Sequence, residues 1–567
     1  MVTVRPPTPG PAATPGPDSR TDRARRKGSL VRRISAPDRP RSSVRLLCAL
    51  LLVMTGGAMA TTATAAADRD RGAPAVGLDR VVPAPASVSP GGAPYEIGPD
   101  TGIRVPDTRE GRRIGDRLAE VLRPSTGYEL PVGTRPGRGG ITLKLGAGPA
   151  ELGDEGYRLR SSAAGVTISA RTHAGLFHGV QTLRQLLPAA VERDSEQPGP
   201  WTVAGGTVTD TPRYAYRSAM LDVSRHFFTV EQVKRYIDQL AMYKINKLHL
   251  HLSDDQGWRL AIDSWPRLAE YGGSTQVGGG PGGHYSKADY REIVDHAASR
   301  YLEVVPEIDM PGHTNAALAS YPELNCDGIA PPLYTGTEVG FSSLCVGKEI
   351  TYDFVDDVVR ELAELTPGRY LHIGGDEAHA TEHADYVAFM ERAQAIVTKY
   401  GKTVVGWHQL TGADPVPGAI AQYWGTTGTE EEVVAAAKSG TPIVLSPANR
   451  SYLDMKYDEN TPLGLSWAGY VEARQSYDWD PGSYLQGAPA DAVLGVEAPI
   501  WTETLSTSDH IEYMAFPRLP GIAELGWSPA ETHDWEDYRQ RVALQGPRWE
   551  ALGVDYYRSP QIPWPGE

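Results

Sequence analysis

The chain has 567 residues and a formal net charge of −15, with 40% hydrophobic and 22% charged residues. That length leaves room for two to four domains and a large core. Its acidity argues against nucleic acid or an anionic membrane as a partner.

In chain order, residues 1–67 stand apart. They carry eleven Lys/Arg against three Asp, then a charge-free run from Leu46 to Ala67. The apolar part of that run, Leu46–Met54, is too short to span a bilayer. The basic flank, short apolar stretch and Ala65-Ala66-Ala67 together predict a secretory signal peptide over 1–67 and a secreted protein. Arg32-Arg33 leaves a twin-arginine route open, and the cleavage site is not fixed. Cys48 lies inside the apolar stretch, which argues against a lipid anchor. Without this segment the net charge is −23 and only Cys326 and Cys345 remain; in an exported chain these two predict one disulfide.

Residues 68–80 read as a linker. Residues 81–212 alternate short strands (Tyr95–Ile97, Ile141–Leu145, Tyr157–Arg160, Val166–Ala170) before one helical pattern, Ala174–Leu187. This predicts a small α+β domain with one sheet and one helix packed on it, without a catalytic constellation. From residue 213 to 567 the rhythm becomes strand, loop, helix. Strands are expected at Ser218–Val223, Lys247–Leu252, Glu303–Ile308, Tyr370–Ile373, Thr403–Trp407, Ile420–Trp424, Pro442–Ser446 and Ala492–Trp501. Eight of them over that length predict an α/β fold, a (β/α)8 TIM barrel with long Gly/Pro-rich insertions.

In such a barrel the chemistry sits at the carboxyl ends of the strands. Here those ends supply Asp222 and Arg225, Asp254, Asp309 and His313, Asp376 and Glu377, Trp407, Trp424, Tyr452 and Asp454, and Trp501 and Glu503. Alone, Gly374-Gly375-Asp376-Glu377 reads equally well as a strand entering a turn whose Asp caps a helix. Eight polar or aromatic endings in succession instead converge on one pocket. Tryptophans that stack on pyranose faces, with carboxylates and an arginine for hydroxyls, describe a sugar site. Adjacent carboxylates at one strand end cannot flank a sugar from opposite faces. That geometry points away from a two-carboxylate glycosidase and toward a nucleophile supplied by the substrate's own 2-acetamido group.

The segments His372-Ile-Gly-Gly-Asp376-Glu377, His249-Leu-His-Leu-Ser-Asp254-Asp-Gln-Gly-Trp258 and Asp309-Met-Pro-Gly-His313 resemble glycoside hydrolase family 20, the β-N-acetylhexosaminidases. The similarity runs from about residue 81 onward. It implies an exo-acting retaining enzyme that releases terminal β-linked N-acetylglucosamine or N-acetylgalactosamine through an oxazolinium intermediate. It implies Glu377 as general acid/base, Asp376 as the carboxylate orienting the acetamido group, and Tyr452 as donor to its carbonyl. Trp407, Trp424 and Trp501 would wall the pocket, and Arg225, Asp454 and Glu503 would bind hydroxyls. Asp254 and His313 would form a relay behind Glu377. The implied partner is an amino-sugar oligosaccharide or glycoconjugate, with no cofactor, no metal, no membrane after processing and no obligate protein partner. No appended carbohydrate-binding domain is visible, so soluble chitin oligosaccharides are expected rather than the solid polymer. GlcNAc against GalNAc, a disaccharide-releasing variant, and the oligomeric state stay open.

Three other readings compete. His249-Leu-His251 places two imidazoles on one strand face, as in barrel metallohydrolases, yet further ligands are not evident. Gly-Gly-Asp-Glu also occurs in signalling cyclases, but there Phe follows, whereas here Ala378 does. A lectin-like barrel without catalysis would not need the complete Asp376–Glu377 pair.

Overall fold

The computed structural model describes residues 75–135 and 139–566. The predicted signal peptide and the first part of the predicted linker lie outside the described residues. Among the described residues no helix is long and apolar enough to cross a membrane.

The amino-terminal region forms a seven-stranded sheet ordered Ser87–Pro90, Gly206–Asp210, Tyr157–Ser162, Gly165–Ala170, Ile141–Leu145, Ile103–Arg104, Val132–Gly133. Alternation drives it: in Tyr157–Ser162 the residues Tyr157, Leu159 and Ser161 are buried while Arg158 and Arg160 are exposed. Tyr95 and Glu96 pair with Thr202 and Val203 in a separate two-stranded ribbon, not in the main sheet. Two helices accompany the sheet, against the single helix expected. His173–Gln185 was foreseen; Arg109–Thr126 was not. Four arginines between residues 109 and 117 mask its apolar stripe of Ile114, Leu118 and Leu122. Thr108 caps it by accepting from the Gly111 N–H at 2.9 Å, and Gly127 ends it at φ 69°.

Eight parallel strands close the barrel: Tyr216–Asp222, Lys247–His251, Glu303–Glu307, Tyr370–His372, Thr403–Trp407, Ile420–Tyr423, Ile443–Leu445 and Val493–Ile500. Closure comes from pairing of the first strand with the last, Ala219 opposite Ala498. Every predicted barrel strand is present: Thr403–Trp407 is matched at both ends, the first strand begins two residues earlier and ends one earlier than expected, and the other six are shorter by one residue at one or both ends. The helical layer is less regular. After the fifth strand a 3-10 turn, His408–Ala413, stands where a full helix would, and after the seventh come only short helical pieces.

The barrel interior is stratified. One end is sealed by Tyr216, Val305, Tyr370, Val405, Ile420 and Val444, all buried. Two residues further along the strands, period-two geometry presents polar side chains inward: His249, Glu307, His372, Gln422 and Glu497, all inaccessible. Above them Met220, Trp407, Tyr452 and Trp501 form an aromatic layer beneath the carboxyl-end loops.

The sheet domain is bolted to the barrel by buried polar contacts. Asp210, ending a sheet strand, accepts from Lys244 Nζ at 2.9 Å, Tyr157 OH at 2.7 Å and Trp527 Nε1 at 3.0 Å. Glu155 accepts from Arg217 on the first barrel strand at 2.6 Å.

Candidate active site

The fourth strand delivers Asp376 and Glu377 through a turn that only glycine can make. Gly374 has φ 65° and Gly375 φ 102°. A Cβ on Gly374 would lie 1.6 Å from Asp309 Oδ1, so the side chain of the third-strand loop occupies that space. The same Asp309 oxygen accepts from the Gly375 N–H at 3.0 Å. Glu377 itself has φ 44°, unusual for a residue with a side chain.

Behind the pair stands His313. Its Nε2 lies 3.4 Å from Glu377 Oε2 and 3.9 Å from Asp376 Oδ2, while Nδ1 faces Asp254 Oδ1 at 3.2 Å. Asp254 is also held by Arg225 at 2.9 Å and by His251 Nε2 at 2.7 Å. Burial would raise the Asp254 carboxyl, but Arg225, His313 and His251 overcome it and hold it well below the usual carboxylate range. Burial would lower His313; the surrounding Asp254, Asp376 and Asp309 instead raise it well above an ordinary histidine. Asp376 is pushed up to about 6, chiefly by burial, with His313 opposing and Glu377 adding. Asp309 is raised by burial and then by Asp376.

In front of the pair lies a cavity of about 390 Å³. Asp376, Glu377 and His313 form one wall; Trp424, Tyr452, Trp467 and Trp501 face it, with Arg225, Asp454 and Glu503 among the lining. The Arg225 guanidinium sits 4.7 Å over the Trp501 ring. Asp454 accepts from the Trp501 N–H at 3.3 Å. Burial, then Asp376 and Asp454, raise the Tyr452 hydroxyl well above its usual range, so it stays a donor.

Of the eleven residues the sequence nominated for the pocket, nine line it. Asp254 lies one step behind, against His313. Trp407 departs from its expected place: it is fully buried and supports Trp501 from beneath, ring centres 5.7 Å apart, rather than walling the cavity. The exposed wall on that side includes Trp467, which sequence reasoning missed because it sits in the long insertion after the seventh strand, away from any strand end. Asp309 was visible in its motif but had no role assigned; its contact with the Gly374-Gly375 turn depends on the fold. Cys326 and Cys345 are bonded, 2.04 Å apart, and close the loop that brings Thr337 and Val339 to the cavity.

The metal reading finds more than its sequence signal promised. Ligand atoms of His249, Glu307 and His372 lie within 4.8 Å of one another. Yet His249 turns both nitrogens to carboxylates, and His372 Nδ1 accepts from the Gly374 N–H at 3.0 Å. The set is occupied by hydrogen bonding.

A closed parallel barrel whose carboxyl-end loops gather an acid pair, indoles and an arginine around a sugar-sized cavity is the architecture of a glycoside hydrolase. Comparison with known proteins specifies which. The model of the glycosyl hydrolase family 20 catalytic domain matches residues 214–386 and 379–530, and that of the family's domain 2 matches residues 79–211. A β-N-acetylhexosaminidase of Cellulomonas fimi is 43% identical over 479 residues, 84% of this chain and 95% of that protein. The solved family 20 β-N-acetylhexosaminidase of Streptomyces coelicolor A3(2) is 74% identical with a TM-score of 0.86, over 87% of this chain and all of that one. A mutant Streptomyces plicatus β-hexosaminidase, solved with its product GlcNAc, is 73% identical with the same TM-score, over 88% of this chain and 100% of that one. The chain belongs to glycosyl hydrolase family 20 and is a glycosidase.

Proposed function

We propose that the enzyme is an exo-acting, retaining β-N-acetylhexosaminidase that removes terminal GlcNAc or GalNAc by substrate-assisted catalysis. The observation that carries the mechanism is the shared side of the two carboxylates. His313 Nε2 lies within 3.9 Å of both, so both approach the sugar from one wall. A retaining enzyme with a protein nucleophile sets its carboxyls across the ring, about 5–5.5 Å apart. Here the acetamido carbonyl takes the nucleophile's place.

In this reading Glu377 protonates the leaving oxygen and later deprotonates the incoming water. Asp376 accepts from the acetamido N–H and offsets the charge of the oxazolinium. Tyr452 donates to the acetamido carbonyl and aims it at the anomeric carbon. Trp424 and Trp501 stack on the ring, with Trp407 as the support under Trp501. Arg225, Asp454 and Glu503 take the ring hydroxyls. The cavity is small for a groove along a polymer, which favours release of one terminal sugar. Export is part of the proposal and rests on the leader pattern of residues 1–67; amino-terminal sequencing of protein from the culture medium tests it.

The deciding experiment is a substrate series. Aryl β-GlcNAc substrates fluorinated stepwise on the acetyl methyl should slow with each fluorine, and the aryl β-glucoside should barely react. Indifference to fluorination, together with a trapped sugar ester on Asp376, would exclude the substrate-assisted route.

A further inference from the structure

A ladder of alternating carboxylates and imidazoles crosses the barrel beneath the catalytic pair. Glu497 on the eighth strand lies 2.9 Å from His249 Nδ1, and His249 Nε2 lies 3.0 Å from Glu307 Oε2. The same Glu307 oxygen meets His251 Nδ1 at 2.5 Å, and His251 Nε2 meets Asp254 Oδ2 at 2.7 Å. Asp254 leads to His313 and His313 to Glu377. All but Glu377 are buried.

The geometry dictates the charges. A neutral imidazole donates from one nitrogen and accepts at the other. His249 and His251 each turn both nitrogens to carboxylate oxygens, and only the doubly protonated ring donates to both. Each cation then neutralises the anions beside it, which is what lets so many ionised groups stay inside a barrel. Electrostatics agree: burial would lower both histidines, but Glu497 and Glu307 raise His249 to about 10, and Glu307 and Asp254 raise His251 to about 9.

We propose that Glu307 is a positioning residue for the acid/base step. By bridging His249 and His251 it keeps His251 an imidazolium, which holds Asp254 ionised and so fixes His313 against Glu377. The use of this arises when Glu377 surrenders its proton. A second anion then forms beside Asp376, and a fixed, charged His313 offsets it. The proposal rests on Glu377 being the acid/base.

Other groups also face the bridge. From the fourth strand His372 Nδ1 faces Glu307 at 2.9 Å but is already an acceptor for Gly374, and burial, the largest influence on His372, keeps it neutral. Asp309 lies within 4.8 Å of both Glu307 and His251, and burial followed by Asp376 raises its carboxyl. Arg225 opposes a proton on His251 Nε2, because its Nη1 donor lies 3.3 Å from that nitrogen, but Asp254 is the nearer partner at 2.7 Å and also takes the other amine of Arg225. Asp376 and Glu377 complete the set at the upper end.

The test is Glu307→Gln, which keeps the shape and removes the charge. Its kcat/KM is measured on aryl 2-acetamido-2-deoxy-β-glucosides with poor and good leaving groups. On the poor leaving group a loss of about tenfold is expected, a fraction of the roughly 10²–10⁴ that general acid catalysis supplies, with little change on the good one. Equal losses on both, or no loss, overturn the proposal. Glu377→Gln is run beside it: without leaving-group dependence in that variant, the acid/base assignment itself has failed. If Glu307→Gln does not fold, neutron diffraction on the native enzyme decides. Deuterium on both ring nitrogens of His251 is the expected result, and deuterium on only one overturns the proposal.

Discussion

Asp376 illustrates how one side chain is tuned by what surrounds it. Burial is the main influence that lifts its carboxyl to about 6, and the charged His313 stops it from rising further. In the proposed mechanism Asp376 accepts from an N–H and faces a cation, which it does only when ionised. Because its folded pKa is raised, it becomes ionised only as pH climbs through about 6. The acid limb of kcat/KM is therefore expected near pH 6 rather than near the value of about 4 of a free aspartate. Below that limb protonated Asp376 competes with the acetamido group as a donor. A pH–rate profile checks this, and a limb near pH 4 would contradict it. Asp376→Asn should remove the limb together with most of the rate.

At the scale of elements, the loop closed by Cys326 and Cys345 is built against the acid. A Cβ on its Gly340 would come 2.4 Å from His379 Nδ1 and 3.2 Å from the Glu377 carbonyl, so the loop lies directly on the catalytic turn. Nineteen residues of sequence separation give the crosslink a contribution of about 3 kcal/mol in the chain-entropy model. Cys326→Ser with Cys345→Ser should lower Tm. It should also raise KM more than it lowers kcat, because Thr337 and Val339 line the cavity while no catalytic group sits on the loop. Unchanged KM would separate the loop from substrate binding.

The elements also show what a sequence makes visible. Barrel strands are legible because both faces are buried, so Thr403–Trp407 and Ile443–Leu445 stand out as short, largely apolar or β-branched runs that lead into the polar residues His408 and Ser446. Arg109–Thr126 was not, because its stripe is three residues wide within a strongly charged segment. Site residues at strand ends could be nominated from position alone. Trp467 could not, since an insertion brings it to the cavity from outside the barrel rhythm. The bridging of Glu307 between His249 and His251 joins residues more than fifty positions apart, and only the strand register places them together.

For the whole molecule, the question is why the sheet domain and the barrel stay together. Asp210 is the central contact: fully buried, it binds Lys244 and Trp527 of the barrel region and Tyr157 of its own sheet. Removing Lys244 leaves Asp210 hydrogen-bonded by Tyr157 and Trp527 but with its buried charge no longer neutralised. Lys244→Met is accordingly expected to destabilise by about 3–5 kcal/mol. The catalytic constants of the folded fraction should hardly change, since none of these residues reaches the cavity. Urea unfolding measures the loss, and a change under about 1 kcal/mol would show that the pair does not hold the domains.

The left-handed backbone at the site has a further consequence for how this chain can change over time. Among the described residues six other than glycine adopt positive φ. Lys244 and Tyr301 do so just past the ends of helices, where that conformation is ordinary. Glu377 at 44° and His313 at 55° have no such reason, and each strained position of this kind costs on the order of 1–3 kcal/mol. Glycine or asparagine at 377 would relax the turn while abolishing the proposed acid. Selection for heat tolerance alone would therefore tend to discard Glu377, and a lineage relieved of its substrate would drift the same way. In this enzyme robustness and turnover pull on the same backbone angle, so a search for hardier variants has to screen for activity at every round.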